Sequence, residues 1–248
     1  MILNDLLTEI DTLKSRLQPY RYLQSDKVTK AFELEYTYES NRIEGNTLTL
    51  QETALVVEKG LTIGGKSLQE HLEAINHTYA LDYIKGLVQD KTPLTETILL
   101  NIHKLILQSI DNANAGTYRK VQVLISGAKH IPPQPFLVVK QMEDFFIWYN
   151  ENKTTLHPVV LSAGLHERLV TIHPFIDGNG RTSRLLMNLV LLQHGYPIAI
   201  LKGDIESRLQ YYAALETAQT NNDRHPFLLL IANNVKEALQ RVLMVLGE

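Results

Sequence analysis

Cysteine is missing from all 248 residues. That excludes thiol nucleophiles, thiolate metal sites, disulfides and redox chemistry together, and it leaves the compartment open, because a chain without thiols is compatible with any. A basic excess is missing too: 24 Lys and Arg face 27 Asp and Glu, for a formal charge of −3. Dedicated nucleic-acid binders usually show the opposite balance, so no nucleic-acid partner is expected. No uncharged apolar run reaches the roughly 18 residues of a membrane span. The longest, near residues 185–192 and 227–232, fall well short. Residues 1–9 show no basic segment leading into an apolar one, so no secretory signal is read there. The expectation is a soluble, cytoplasmic protein. Internal repeats, low-complexity tracts and linkers rich in Gly, Pro or Ser are likewise not found.

What the chain has is helical periodicity. Leu3, Leu6, Leu7, Ile10, Leu13 and Leu17 recur at steps of three and four, and Pro19 ends that pattern. A second helix is expected over 20–43, stopped by Gly45 and Asn46. Two capping boxes, Thr49 with Glu52 and Ser67 with Glu70, predict helices over 49–59 and 67–90. Further helices are expected over 95–109, 140–150, from His157-Pro158 onward, and over 179–194, 204–220 and 226–246. Residues 119–136 differ. Val121, Val123 and Ile125 alternate with other residues, Gly127 turns the chain, and His130-Ile131 leads into Pro132-Pro133. This pattern predicts a short exposed β-hairpin, too small to fold alone and therefore a flap on a helical body. The expected fold is all-α, a helical bundle with a short β-hairpin flap. Residues 1–50 read as a helical arm and 51–248 as one domain including the flap.

Residues 60–67, GLTIGGKS, formally satisfy the phosphate-loop pattern from Gly60 through Lys66 to Ser67. Such a loop needs a strand before it and a parallel sheet around it. Here a capped helix precedes it, and Ser67 already serves as the cap of the next, so the stretch reads as an interhelical turn.

Polar function concentrates instead at residues 171–184, TIHPFIDGNGRTSR. Pro174 disfavours helix at His173, so the imidazole stands where a helix has just ended. Gly178-Asn179-Gly180 permits a sharp bend, and the strongly apolar segment that follows is expected to be a buried helix whose N-terminus faces the loop. Free amides, the positive helix end, and Arg181 and Arg184 three residues apart make an anion site suited to phosphate. Asp177 calls for a cation between itself and the anion, a need that one Mg²⁺ bridging phosphates meets. His173 is able to accept a proton at neutral pH. With no thiol in the chain, it has to act directly on its substrate.

Residues 173–184, HPFIDGNGRTSR, match every position of the HPFx[DE]GNGRxxR signature and so resemble the Fic family. Gly116 through Pro133, the HP at 157, His166, the GYP at 195–197 and YYAAL at 211–215 resemble further family landmarks, in order, over roughly 94–227. The resemblance implies transfer of AMP from ATP to a Ser, Thr or Tyr hydroxyl of a target protein, on an all-helical core. It implies His173 as base and Asp177 as the holder of Mg²⁺. It also implies Asn179 with the amides of Gly178 and Gly180 on the α-phosphate, Arg181 on the β- and Arg184 on the γ-phosphate. Thr182 and Ser183 fall within the same nucleotide loop. Tyr211 and Tyr212 match tyrosines that contact the adenine, whereas Gln219 stands where relatives carry Asn. Related kinases carry Ala and Lys in place of Gly178 and Gly180, so the form seen here favours nucleotidyl transfer. The flap residues Val123, Leu124, Ile125, Ser126, Gly127, His130 and Ile131 are implied to dock the target as an added strand.

Residues 40–45, SNRIEG, match the family's inhibitory pattern [ST]xxxE[GN]. Ser40 and Glu44 share a helix face. A Glu at a helix C-terminus meets an unfavourable dipole and gains from a cation brought by another segment. By resemblance Glu44 pairs with Arg184 and holds off the γ-phosphate, and as a secondary implication the same Glu44 could orient a water to remove AMP from a modified target, as in some relatives. The expected partners are ATP and a hydroxyl-bearing protein, and a homodimer that steadies the arm is compatible with the pattern. The remaining histidines read as structural: His166 as a core or supporting residue, and His71, His77 and His103 as helix-face residues without ligand partners at useful spacing.

Overall fold

Caps and prolines decide where the helices begin. In the computed structural model, which describes residues 2–20 and 26–248, the described residues form ten α-helices and no strand. They are α1 (Leu3–Leu17), followed by a 3-10 turn (Gln18–Tyr20), α2 (Asp26–Ile43), α3 (Leu50–Lys59), α4 (Leu68–Gln89), α5 (Glu96–Leu107), α6 (Pro135–Asn152), α7 (Pro158–Ile172), α8 (Asn179–Gln193), α9 (Ile205–Asn221) and α10 (His225–Leu246). Both expected capping boxes form, at Thr49 and at Ser67. The second helix is described from Asp26; residues 21–25, which its expected span covers, lie outside the described residues. α6 starts five residues ahead of the expected Lys140, because Pro135 supplies the preset φ of a first helical position.

The antiparallel pair α7 and α8 forms the centre. Leu161, Leu165 and Leu169 of α7, with Leu185, Leu186 and Leu189 of α8, pack toward α4, α5 and α6. Val159, Ala163 and Val170, with Met187 and Leu191, pack toward α1, α9 and α10. Covered on both sides, these two helices need apolar residues all round, which explains the run near 185–192. α1 lies along α10, and α2 crosses α4 near the start of α8, setting Ser40 and Glu44 beside the catalytic-loop candidate. No helix among the described residues is long and apolar enough to cross a membrane.

The expected hairpin is corrected. Residues 119–134 run as an extended loop without strand pairing. Pro132 and Pro133 carry no N–H, so the returning limb cannot complete a ladder. Side chains join the limbs instead: Gln122 Nε2 donates to the Pro132 carbonyl at 2.9 Å, and Arg119 donates to the Val121 and Pro133 carbonyls. The expected alternation holds in exposure only over 123–125, with Val123 and Ile125 half-buried and Leu124 exposed, while Val121 is exposed as well.

Candidate functional site

The site is the α7–α8 connection. α7 ends at His173, whose backbone is left-handed at φ 51°, ψ 58°, a conformation uncommon for a residue with a side chain. Its N–H still closes on the Leu169 carbonyl at 2.9 Å. The imidazole Nδ1 lies 3.3 Å from the Val170 carbonyl and must donate to it, which leaves Nε2 as a free acceptor. Burial lowers the pKa of this histidine, helped by the charge of Arg119 and opposed by the Val170 contact and Glu44. It is therefore unprotonated at neutral pH.

Phe175, fully buried, anchors the loop. Asn179 closes it, accepting from the Phe175 N–H at 3.0 Å and donating to the Phe175 carbonyl at 2.9 Å. Its amide thus shapes the loop from within. Gly178, at φ 75°, is the N-cap of α8 and gives no side-chain cap, so the first amides of the helix stay open. Ser183 donates to the Asn179 carbonyl at 2.7 Å, and the buried Thr182 hydroxyl has no hydrogen-bond partner. Asp177 is exposed on the rim; one oxygen accepts from the Gly178 N–H at 2.6 Å and the other lies 3.2 Å from Arg181 Nη2.

The two arginines differ in their partners. Arg181 lies between Asp177 and Glu73 of α4, the latter at 3.3 Å, and its Nε is buried without a hydrogen bond. Arg184 is 1% exposed. Its Nε donates to Ser40 Oγ at 3.0 Å, and Nη2 donates to the Ser40 carbonyl at 2.9 Å and to Glu44 Oε1 at 2.6 Å. Nη1 is left without a partner. Burial would lower the pKa of this guanidinium, yet Glu44 raises it on balance. The Glu44 carboxylate also sits over Gly180, where a methyl group would collide with it. The structure thus joins Glu44, Ser40 and Arg184 across 140 residues or more, as the spacing and the resemblance imply.

α9 supplies the remaining wall. Tyr211 is buried with its hydroxyl 2.9 Å from His166 Nε2, and Tyr212 donates to the Ile43 carbonyl at the end of α2, 3.1 Å away. Gln219 lies two turns beyond Tyr212 and is partly exposed. On the flap, His130 Nε2 lies 2.8 Å from the Thr171 carbonyl, and Ser126, Gly127 and Ile131 are exposed. The phosphate-loop look-alike joins α3 to α4 as a turn. Lys66 donates to the Thr47 carbonyl at 2.6 Å and to Thr47 Oγ1 at 3.0 Å, and Ser67 caps α4.

Three residues contribute more than their sequence positions suggest. His103 lies 3.0 Å from both the Asp177 carbonyl and the Gly116 N–H, and it stacks on Phe175 with ring centres 3.6 Å apart. Arg119 binds the His173 carbonyl at 2.7 Å, and Glu73 holds Arg181. For His103, the available signal is a histidine on an otherwise apolar helix face.

Fold and site together define an all-helical domain in which a neutral histidine faces an uncapped, arginine-lined helix start. Residues 93–191 match the Fic/DOC family. Protein adenylyltransferase Fic of Drosophila grimshawi is 40% identical over 206 residues, covering 83% of this chain and 42% of that protein. The Drosophila melanogaster protein of the same name is 40% identical over 206 residues, 83% of this chain and 41% of that protein. Among solved structures, Fic-1 from C. elegans has a TM-score of 0.88 at 32% identity, over 99% of this chain and 73% of that one. A Fic-domain signaling protein from Bacteroides thetaiotaomicron has a TM-score of 0.83 at 32% identity, over 94% of this chain and 95% of that one. The chain belongs to the Fic/DOC family. It spans less than half the length of the curated relatives it matches.

Proposed function

We propose that this chain is a protein adenylyltransferase that moves AMP from ATP to a Ser, Thr or Tyr hydroxyl of a target protein, and that Glu44 restrains it. The observation that carries this reading is the pairing of an unprotonated Nε2 on His173 with an adjacent arginine-lined helix start. Relatives named as adenylyltransferases support it.

His173 Nε2 accepts the proton of the target hydroxyl as that oxygen attacks the α-phosphorus; the bond to the bridging oxygen breaks and pyrophosphate leaves. The open amides at the start of α8 face the phosphates, with Arg181 and Arg184 as charge-assisted donors. Two observations fit these donors to a polyanion: the buried Arg181 Nε and Arg184 Nη1 both lack hydrogen bonds. The donor set fits Mg²⁺ as well. Asp177, an exposed carboxylate beside the open start of α8, is the residue that would hold it. When bound there, Mg²⁺ would neutralise phosphate charge. Tyr211, Tyr212 and Gln219 line the side where a base would lie. The exposed limb of residues 123–127, with His130 and Ile131, would receive the target backbone. Residues 1–50 then act as a regulatory arm on the catalytic domain of 51–248.

Glu44 occupies Arg184 Nη2 and the space above Gly180, the volume a γ-phosphate held by Arg184 would need. The test uses α-labelled ATP and protein extract. Label should enter protein with Glu44→Gly, weakly with wild type, and not at all when His173→Ala is added. Transfer that persists without His173 sinks the proposal.

A further inference from the structure

Arg119 is 3% exposed and carries a cation into the protein. Among the described residues no carboxylate pairs with it; its guanidinium is satisfied by main-chain carbonyls alone. Nε donates to the His173 carbonyl at 2.7 Å, Nη1 to Val121 at 3.0 Å and Nη2 to Pro133 at 2.6 Å. Its own N–H donates to the Pro174 carbonyl at 2.9 Å. Burying a cation without a counter-charge is costly, and a structural plug would be better made from apolar atoms. What the planar fork supplies is geometry: three rigid donors aimed at three separate segments, which an ammonium on a flexible stem cannot reproduce. Those segments are the departing limb of the flap, its returning limb and the turn that carries the candidate base.

We propose that Arg119 is a positioning residue that sets the distance between the flap and His173, so that a hydroxyl presented along the flap meets the imidazole. The inference rests on the functional reading above. It assigns the task that a hairpin ladder would otherwise perform. Without paired strands, the flap is held by side chains: His130 ties its returning limb to the Thr171 carbonyl at 2.8 Å, and Arg119 alone joins both limbs to the carbonyl of His173 itself. Gln122 ties the two limbs to each other but makes no bond to the catalytic turn. His103 makes a parallel bridge from Gly116 to Asp177, on the phosphate side of the loop. Displacing a reacting group by about 1 Å can cost on the order of 100-fold in rate. The effect should fall on turnover and spare ATP binding, because Arg119 bonds none of the nucleotide-loop residues from Asp177 to Arg184.

The test places Arg119→Lys and Arg119→Gln in the Glu44→Gly parent, with Gln122→Ala as a comparison. Hydrogen exchange of backbone amides, ATP affinity by calorimetry and initial rates of label transfer from α-labelled ATP to extract protein are measured. In both Arg119 variants, exchange should rise at least about tenfold in residues 119–133 and also in 173–178, with the interiors of α7 and α8 unchanged. The transfer rate should fall roughly 10- to 100-fold, with the KM and Kd for ATP within about twofold. Gln122→Ala should loosen the flap and leave 173–178 protected. The proposal is overturned if exchange at 173–178 is unchanged, if ATP affinity falls in step with rate, or if both Arg119 variants fail to fold, which would make the residue merely structural. If the parent shows no His173-dependent transfer, the functional reading fails, while the exchange result still decides the clamp.

Discussion

Replacing Glu44 should release activity and cost stability at the same time. Its carboxylate donates no hydrogen bond and accepts one strong one, from Arg184 Nη2 at 2.6 Å. Breaking a fully buried ion pair costs about 3–5 kcal/mol, but the Glu44 side chain is 32% exposed and Arg184 keeps both bonds to Ser40. A figure of about 2 kcal/mol is therefore appropriate, within the range for hydrogen bonds to charged groups. Two consequences follow. In a chain of this size the melting temperature should fall by about 4–8 °C. If ATP binds productively only when Arg184 is free, the same 2 kcal/mol has been holding the competent fraction near 1 in 30. Glu44→Gly should then raise initial transfer rates at subsaturating ATP by up to about 30-fold. Glu44→Gln keeps the shape and an acceptor oxygen but loses the charge, so it should lie between the two. Melting by calorimetry and label transfer from α-labelled ATP are the assays. A fall in melting temperature with unchanged transfer would show that Glu44 only neutralises Arg184, and the restraint would have to be abandoned.

Other outcomes follow from the same contacts. His173→Ala should abolish transfer while ATP affinity, read by calorimetry, stays within about threefold; a large loss of affinity would place the histidine on the nucleotide. Because burial lowers the His173 pKa, the base stays unprotonated somewhat below the ordinary histidine value, so the acid limb of the rate profile should fall below pH 6.5. An acid limb above 6.5 contradicts this. Burial also holds His77 down to about 3 and His103 to about 4. The unfolded chain takes up these protons first, near pH 6.5, so stability falls as pH drops below that point, by about 2 kcal/mol per buried histidine at pH 5. Equal urea midpoints at pH 7 and pH 5 would contradict it. Lys66→Ala should leave ATP affinity unchanged, since Lys66 ties the α3–α4 turn to Thr47 and lies 3.9 Å from Glu52; a tenfold loss would revive the phosphate-loop reading.

Local patterns carried most of the fold. Both capping boxes, the proline starts at Pro158 and Pro226 and the leucine spacing of α1 are short-range chemistry, and the helices they predict form where expected, give or take a few residues. The hairpin failed because alternation reports which side of an extended chain faces inward, and says nothing of whether a partner strand has N–H groups to offer. Within the site, residues contiguous in sequence were legible from 173 to 184. The Ser40, Glu44 and Arg184 contact spans 140 residues or more and was legible only because two motifs resembled parts of one family. Arg119 and His103 had no such help. Their partners are main-chain atoms as much as 54 and 74 residues away, and a carbonyl oxygen has no identity in a sequence.

Arg184, in the first turns of α8, has almost no contact with water, so it needs a counter-charge for the chain to fold comfortably. Glu44 is that counter-ion in this structure. Under the proposed function, restraint and part of the stability would rest on the same ion pair. Loss of Glu44 would then lower stability as it raised activity, and bound ATP, by supplying the missing counter-charge, would return part of that stability.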